Sequence, residues 1–89
     1  MPSKHILVQG KVQGVFYRAT AKEVADKLNI KGWIRNTQEG SVEIVASGDE
    51  PSLQSFIDWC QKGPEYAHVH SLVVSDAPEE SFSAFTIKR

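Results

Sequence analysis

Ile6-Leu7-Val8-Gln9-Gly10-Lys11-Val12-Gln13-Gly14-Val15-Phe16-Tyr17-Arg18 passes from alternating residues, through a glycine turn, into a helix start that carries a fixed cation. Ile6, Val8, Gly10 and Val12 share one parity against His5, Gln9 and Lys11, so Lys4 to Val12 reads as a half-buried strand with Leu7 on the polar side. Beyond the loop, Ala21, Val24, Ala25 and Leu28 fall at i, i+3, i+4 and i+7, with Lys22, Glu23, Asp26 and Lys27 outside that stripe. This is an amphipathic helix from about Arg18 to Asn29. The first turn of such a helix has backbone N–H groups without internal partners, and the aligned peptide dipoles put partial positive charge there. An anion, phosphate above all, is the natural ligand of that end. Gly14 supplies a residue able to take positive φ, and Arg18 can add a two-pronged charge-assisted contact.

The rest of the chain continues the alternation of elements. Ile30 to Asn36 reads as a second strand and Ser41 to Ser47 as a third, with Val42, Ile44 and Ala46 alternating against Glu43 and Ser47. Thr37-Gln38-Glu39-Gly40 joins them as a short hairpin loop, with Gly40 free to take the left-handed position. Asp49-Glu50-Pro51 is a helix start, with an acidic cap and a proline in the first turn; Leu53, Phe56, Ile57 and Cys60 follow at helical spacing. Gly63-Pro64 stops that helix. Ala67 to Ser75 forms a fourth strand, with Val69 and Val73 on one parity and Leu72 and Val74 on the other; Ala77-Pro78-Glu79-Glu80 is a turn, and Phe82 to Lys88 a short terminal strand.

The order βαββαβ plus a terminal strand predicts an α+β sandwich of ferredoxin-like type, an antiparallel sheet with both helices on one face. Right-handed crossovers make strands one and two parallel with another strand between them, so their C-terminal ends reach the same sheet edge. The Gly14 loop and Asn36 therefore meet. Two strand spacings are about 9.6 Å, which leaves room for a phosphate and a water between them. Taken alone, Arg18 reads as a surface salt-bridge residue and Asn36 as a strand-end cap; their joint placement at one edge favours a site.

The two segments together, with Gly32-Trp33-Ile34-Arg35-Asn36 and Gly40 following the first loop, resemble the acylphosphatase family. That family carries a Gly-x-Val-Gln-Gly-Val-x-x-Arg loop and then Gly-Trp-x-x-Asn. The resemblance extends to Gly63-Pro64, Ala67, Val69 and the ending Phe85-Thr86-Ile87-Lys88-Arg89, so it spans a single domain over residues 1–89. Tyr17 departs from it, standing where Phe is usual and adding a polar tip to the ring. The resemblance implies Arg18 and Asn36 as the catalytic pair, and a phosphate-binding loop of Gln13, Gly14, Val15, Phe16, Tyr17 and Arg18. It implies a hydrolase that cleaves the carboxyl-phosphate bond of acyl phosphates by direct attack of water, with inorganic phosphate as product and inhibitor. Neither a cofactor nor a metal is expected. The alternative is a non-catalytic module that binds phosphate or carbamoyl phosphate with the same loop.

Composition bounds the partners. The chain of 89 residues carries a formal charge of −1 with acids and bases interleaved, which argues against the basic stripe of a nucleic-acid surface and against an RNA-binding module of the same topology. No segment approaches the ~20 apolar residues of a membrane helix, and Met1-Pro2-Ser3-Lys4 leads into no signal-like run. One cysteine rules out an internal disulfide and suits a reducing compartment, so a cytoplasmic setting is expected; the chain is also expected to be a monomer. Cys60 extends the apolar stripe of the second helix and reads as a small buried hydrophobe. Trp33, opposite in parity to Asn36, reads as structural or partly exposed, and Trp59, at the end of the second helix, as a packing residue. His68 and His70 share a strand face, and with His5 on the neighbouring strand three imidazoles could converge, the only metal-like feature, though no cysteine or carboxylate at ligand spacing supports it.

Overall fold

A computed structural model describes residues 1–88; Arg89, the end of the C-terminal motif, lies outside them. The elements are β1 (Ser3–Lys11), α1 (Tyr17–Lys27), β2 (Lys31–Asn36), β3 (Val42–Ser47), α2 (Glu50–Lys62), β4 (His68–Asp76) and β5 (Phe85–Ile87). They build one sheet in the order β4-β1-β3-β2-β5. β1 and β2 each pair antiparallel with β3, and so run parallel to one another on either side of it. The expected ferredoxin-like sandwich is therefore present, with the first two strands delivering their C-terminal ends to one edge.

Register fixes the core. Ile6 and Ile34 both stand opposite Ile44, one row of isoleucines across three strands, and all three are fully buried. Full burial of such a side chain contributes roughly 1.5–3 kcal/mol. Ala21 and Ala25 of α1, and Leu53, Phe56 and Cys60 of α2, close over that face. Phe85 of β5 reaches the same layer and meets Phe56 edge-on, with ring centroids 5.7 Å apart.

The two helices end for readable reasons. After α1, Asn29 takes a left-handed φ of 58°; its N–H donates to the Asp26 carbonyl and the Ile30 N–H to the Ala25 carbonyl. That pairing closes a Schellman motif with the buried Ala25 and Ile30 as its hydrophobic contact. α2 starts on Asp49, whose carboxylate accepts from the Ser52 N–H at 3.0 Å, and carries Pro51 in its first turn.

Several expectations are corrected. The helix expected over Arg18 to Asn29 runs from Tyr17 to Lys27, because Asn29 belongs to the left-handed cap. The terminal strand expected from Phe82 to Lys88 is confined to Phe85–Ile87 and lies parallel to β2, pairing only along Gly32 to Ile34, so the sheet is mixed. A register shift at Gln9/Gly10 breaks the parity expected of the fourth strand; Val69 and Leu72, one even and one odd, both pack on the core. His5 stands opposite Ser75 while His68 stands opposite Lys11, so the three histidines are spread along the strand and do not converge. His5 instead meets Glu43 at 2.7 Å on the helix-free face. No helix among the described residues is long and apolar enough to cross a membrane.

Candidate active site

The site lies where β1 hands the chain to α1, and its local geometry is the inverse of what stabilises a helix. α2 begins with an acidic cap, an acidic first turn and a proline. α1 begins with none of these: Phe16 is its N-cap residue without a side-chain cap bond, and its first turn holds no acid but does hold Arg18. A cation at that end opposes the helix dipole. Phe16 also takes a left-handed φ of 64°, which costs a residue with a Cβ roughly 1–2 kcal/mol. Gly14, at φ 74°, takes the same region without penalty, and a Cβ added there would meet nothing within 4 Å. It is a conformational glycine facing open space.

These choices leave a row of donors unspent. The Phe16 carbonyl accepts from both the Thr20 N–H and the Thr20 hydroxyl, yet among the described residues no amide from Gly14 to Ala19 donates to a protein acceptor. Arg18 is half-buried and, among the described residues, makes no ion pair. Unspent amides and an unpaired guanidinium at a helix N-terminus form an anion-binding concavity.

Asn36 closes the site from the far side. Gly14, Phe16, Tyr17, Arg18 and Asn36 line one cleft of about 320 Å³. Asn36 is the last residue of β2, and its Oδ1 is buried without a hydrogen-bond partner among the described residues. Leaving a buried acceptor unsatisfied costs about 1–3 kcal/mol, so a donor that the described residues do not supply belongs there. Two structural ties hold the cleft's sides in register. The Gln13 side-chain amide donates to the Thr37 and Ser41 carbonyls, each at 2.8 Å, fastening the loop to the hairpin that follows Asn36. The Tyr17 hydroxyl donates at 2.7 Å to the Cys60 carbonyl, one of the terminal carbonyls of α2 that lack a helical partner. Gly63, at φ 70°, lets Tyr17 approach that end, since a Cβ on it would stand 3.0 Å from the Tyr17 ring.

Of the residues expected from sequence, Gln13 and Val15 do not line the cleft: the Gln13 side chain is occupied by the hairpin and Val15 is buried. Val12, Ala19 and Ile87 do line it and were not anticipated. For Ile87 there was no signal, because its place follows from the parallel pairing of β5. Trp59 packs on Tyr17 and Phe56, and Trp33 lies under Lys88 Nζ at 4.2 Å, both structural as expected. Burial pushes the Cys60 thiol up to about 12, and burial likewise raises the Tyr17 phenol well above its ordinary range, so neither ionises near neutrality.

Fold and cleft together define a small α+β sandwich with an anion-binding loop facing a strand-end amide. The family model described as Acylphosphatase matches residues 4–87. The chain is 45% identical over 76 residues to an acylphosphatase of Acidovorax sp. strain JS42, covering 85% of this chain and 78% of that protein. It is 43% identical over 90 residues to one of Methylococcus capsulatus, covering 100% of this chain and 98% of the relative. The crystal structure of acylphosphatase from Bacillus subtilis superposes with a TM-score of 0.96 at 36% identity, covering 100% of both chains. The protein is an enzyme of the acylphosphatase family.

Proposed function

We propose that the chain hydrolyses acyl phosphates, R–CO–O–PO₃²⁻, by direct attack of a water held by Asn36 on a phosphoryl group bound by Arg18 and the amides of the loop from Gln13 to Arg18. The observation that carries this reading is the pairing, in one cleft, of unspent amides and an unpaired arginine with an unpartnered buried Asn36 Oδ1.

Acyl phosphates make a small inventory sufficient. The leaving group is a carboxylate with a pKa near ~4, so no acid need protonate it. Phosphoryl transfer passes through a loose transition state whose charge spreads over three equatorial oxygens, and fixed donors aimed at those oxygens stabilise it. Asn36 Oδ1 accepts a hydrogen bond from the attacking water and so orients it. An asparagine is no base, but a loose transition state asks little activation of the nucleophile, and full immobilisation of reactants is worth about 7–11 kcal/mol, of which orienting one water supplies a part. Water adds its oxygen to phosphorus, the bridging P–O bond breaks, and the carboxylate leaves with that bond's electron pair.

Hydrolysis in ¹⁸O-labelled water tests the bond broken. One labelled oxygen in the phosphate and none in the carboxylate is the expected result. Label in the carboxylate would mean attack at the carbonyl carbon and would overturn the mechanism.

A further inference from the structure

We propose that Phe16 is a specificity residue whose ring receives the acyl part of the substrate, so that the enzyme favours acyl phosphates with an apolar, preferably aromatic, acyl group. This rests on the hydrolase reading above and names the substrate class it leaves open.

Phe16 is 74% exposed, the most exposed large hydrophobic residue in the structure, and it lines the same cleft as Arg18 and Asn36. Its ring contributes nothing to the core. Its backbone sits in the left-handed region at φ 64° and serves as an uncapped helix N-cap, a position where glycine or asparagine would be less strained. A bulky ring held out at that place is against local stability, which points to a contact that the free protein lacks.

The cleft has room for such a contact. Its volume of about 320 Å³ far exceeds what a phosphoryl group and one water of ~30 Å³ fill. Ile87, Val12 and Ala19 give it further apolar wall, and among the described residues no carboxylate, and no side-chain amide besides that of Asn36, lines it to demand a polar acyl group. In-line attack sends the carboxylate away from the water on Asn36, and Phe16 is the exposed ring among the residues that line the cleft. An aryl ring there stacks offset or edge-on against Phe16, whereas a methyl group covers little of it.

The test is the ratio of kcat/KM for benzoyl phosphate to that for acetyl phosphate, in the wild type, Phe16→Gly and Phe16→Leu. Glycine removes the ring while favouring the left-handed backbone and adding no side chain that caps the helix. The ratio is expected to fall about tenfold in Phe16→Gly and to recover in part in Phe16→Leu. An unchanged ratio would overturn the proposal, whatever happens to the absolute rates.

Binding separates this inference from the reading beneath it. Phenacylphosphonate and acetonylphosphonate replace the bridging oxygen by CH₂ and are not hydrolysed. The wild type is expected to hold the phenacyl compound the more tightly, and Phe16→Gly to lose that preference. If the wild type turned over neither acyl phosphate, the hydrolase reading would fail, and an aryl preference in binding that Phe16→Gly erased would still assign the ring its role. Equal binding of the two phosphonates by the wild type would remove it.

Discussion

Asn36 Oδ1 is a buried acceptor with no donor among the described residues. An acceptor kept for its structural bonds would be missed when deleted; one kept for a ligand would not. Asn36→Ala is therefore expected to leave unfolding free energy within about 1 kcal/mol of wild type, or to raise it, since it removes an unsatisfied group. Urea unfolding checks this, and a loss of 3 kcal/mol would make Asn36 structural. Arg18 has the complementary role. It pairs with no acid among the described residues, so Arg18→Ala leaves no carboxylate stranded, while phosphate affinity should fall about 10- to 100-fold with the loss of a charge-assisted contact. The rise in Tm on adding inorganic phosphate reads that affinity directly, because a ligand of the folded state stabilises it by mass action. Their place in one cleft was legible in sequence through their joint position and through the family resemblance. The left-handed Phe16 was not: glycine announces positive φ, and a phenylalanine that adopts it without that signal has no mark in the sequence.

Among the elements, the contrast between the two helix starts is the most instructive. Asp49-Glu50-Pro51 could be read as a helix N-terminus because it uses the residues that stabilise one, and α2 starts where expected. The start of α1 is defined by what it omits, so its first residue was misplaced by one and its end by two. Its stability is recovered elsewhere. Tyr17, the departure from the family's usual Phe, spends its hydroxyl on the Cys60 carbonyl and thereby fastens the first turn of α1 to the last turn of α2. Tyr17→Phe should destabilise the fold by about 1–2 kcal/mol, because a buried terminal carbonyl loses its donor. In a domain of this size each kcal/mol lowers Tm by about 4–8 °C, so thermal unfolding resolves the effect. An unchanged Tm would mean that the carbonyl finds another partner. The shortness of β5 and the shift at Gly10 were beyond sequence reading, because both depend on where a partner strand ends or slips.

At the scale of the whole molecule, strand order decides function. Placing β3 between β1 and β2 brings the loop after one strand beside the last residue of the other, and that juxtaposition followed from crossover handedness alone. The helix-free face of the same sheet carries Glu43 between His5 and Arg35, at 2.7 and 2.6 Å. The His5 hydrogen bond foremost, with Arg35 adding to it, holds the Glu43 carboxyl below its ordinary 4.5, against a smaller opposing effect of burial. A carboxyl lowered by folding stabilises the folded state above its unfolded pKa and loses that contribution as pH falls through the folded value. Glu43→Gln should therefore be less stable than wild type by up to about 1 kcal/mol at pH 7. The two proteins should converge in acid, once the pH has fallen through the lowered folded value and wild-type Glu43 is also protonated. Urea midpoints at the two pH values check the sign, and a constant difference would remove the ion cluster from the account.

The measurement that bears most directly on the central claim is the hydrolysis of benzoyl phosphate by the purified chain and by Asn36→Ala, with a chelator present, alongside phosphate binding to each. The account predicts wild-type turnover that persists in chelator, falls about 100-fold or more in the variant, and is accompanied by phosphate binding that the variant largely keeps. Full turnover in Asn36→Ala would contradict it; so would a wild type that binds phosphate and hydrolyses nothing.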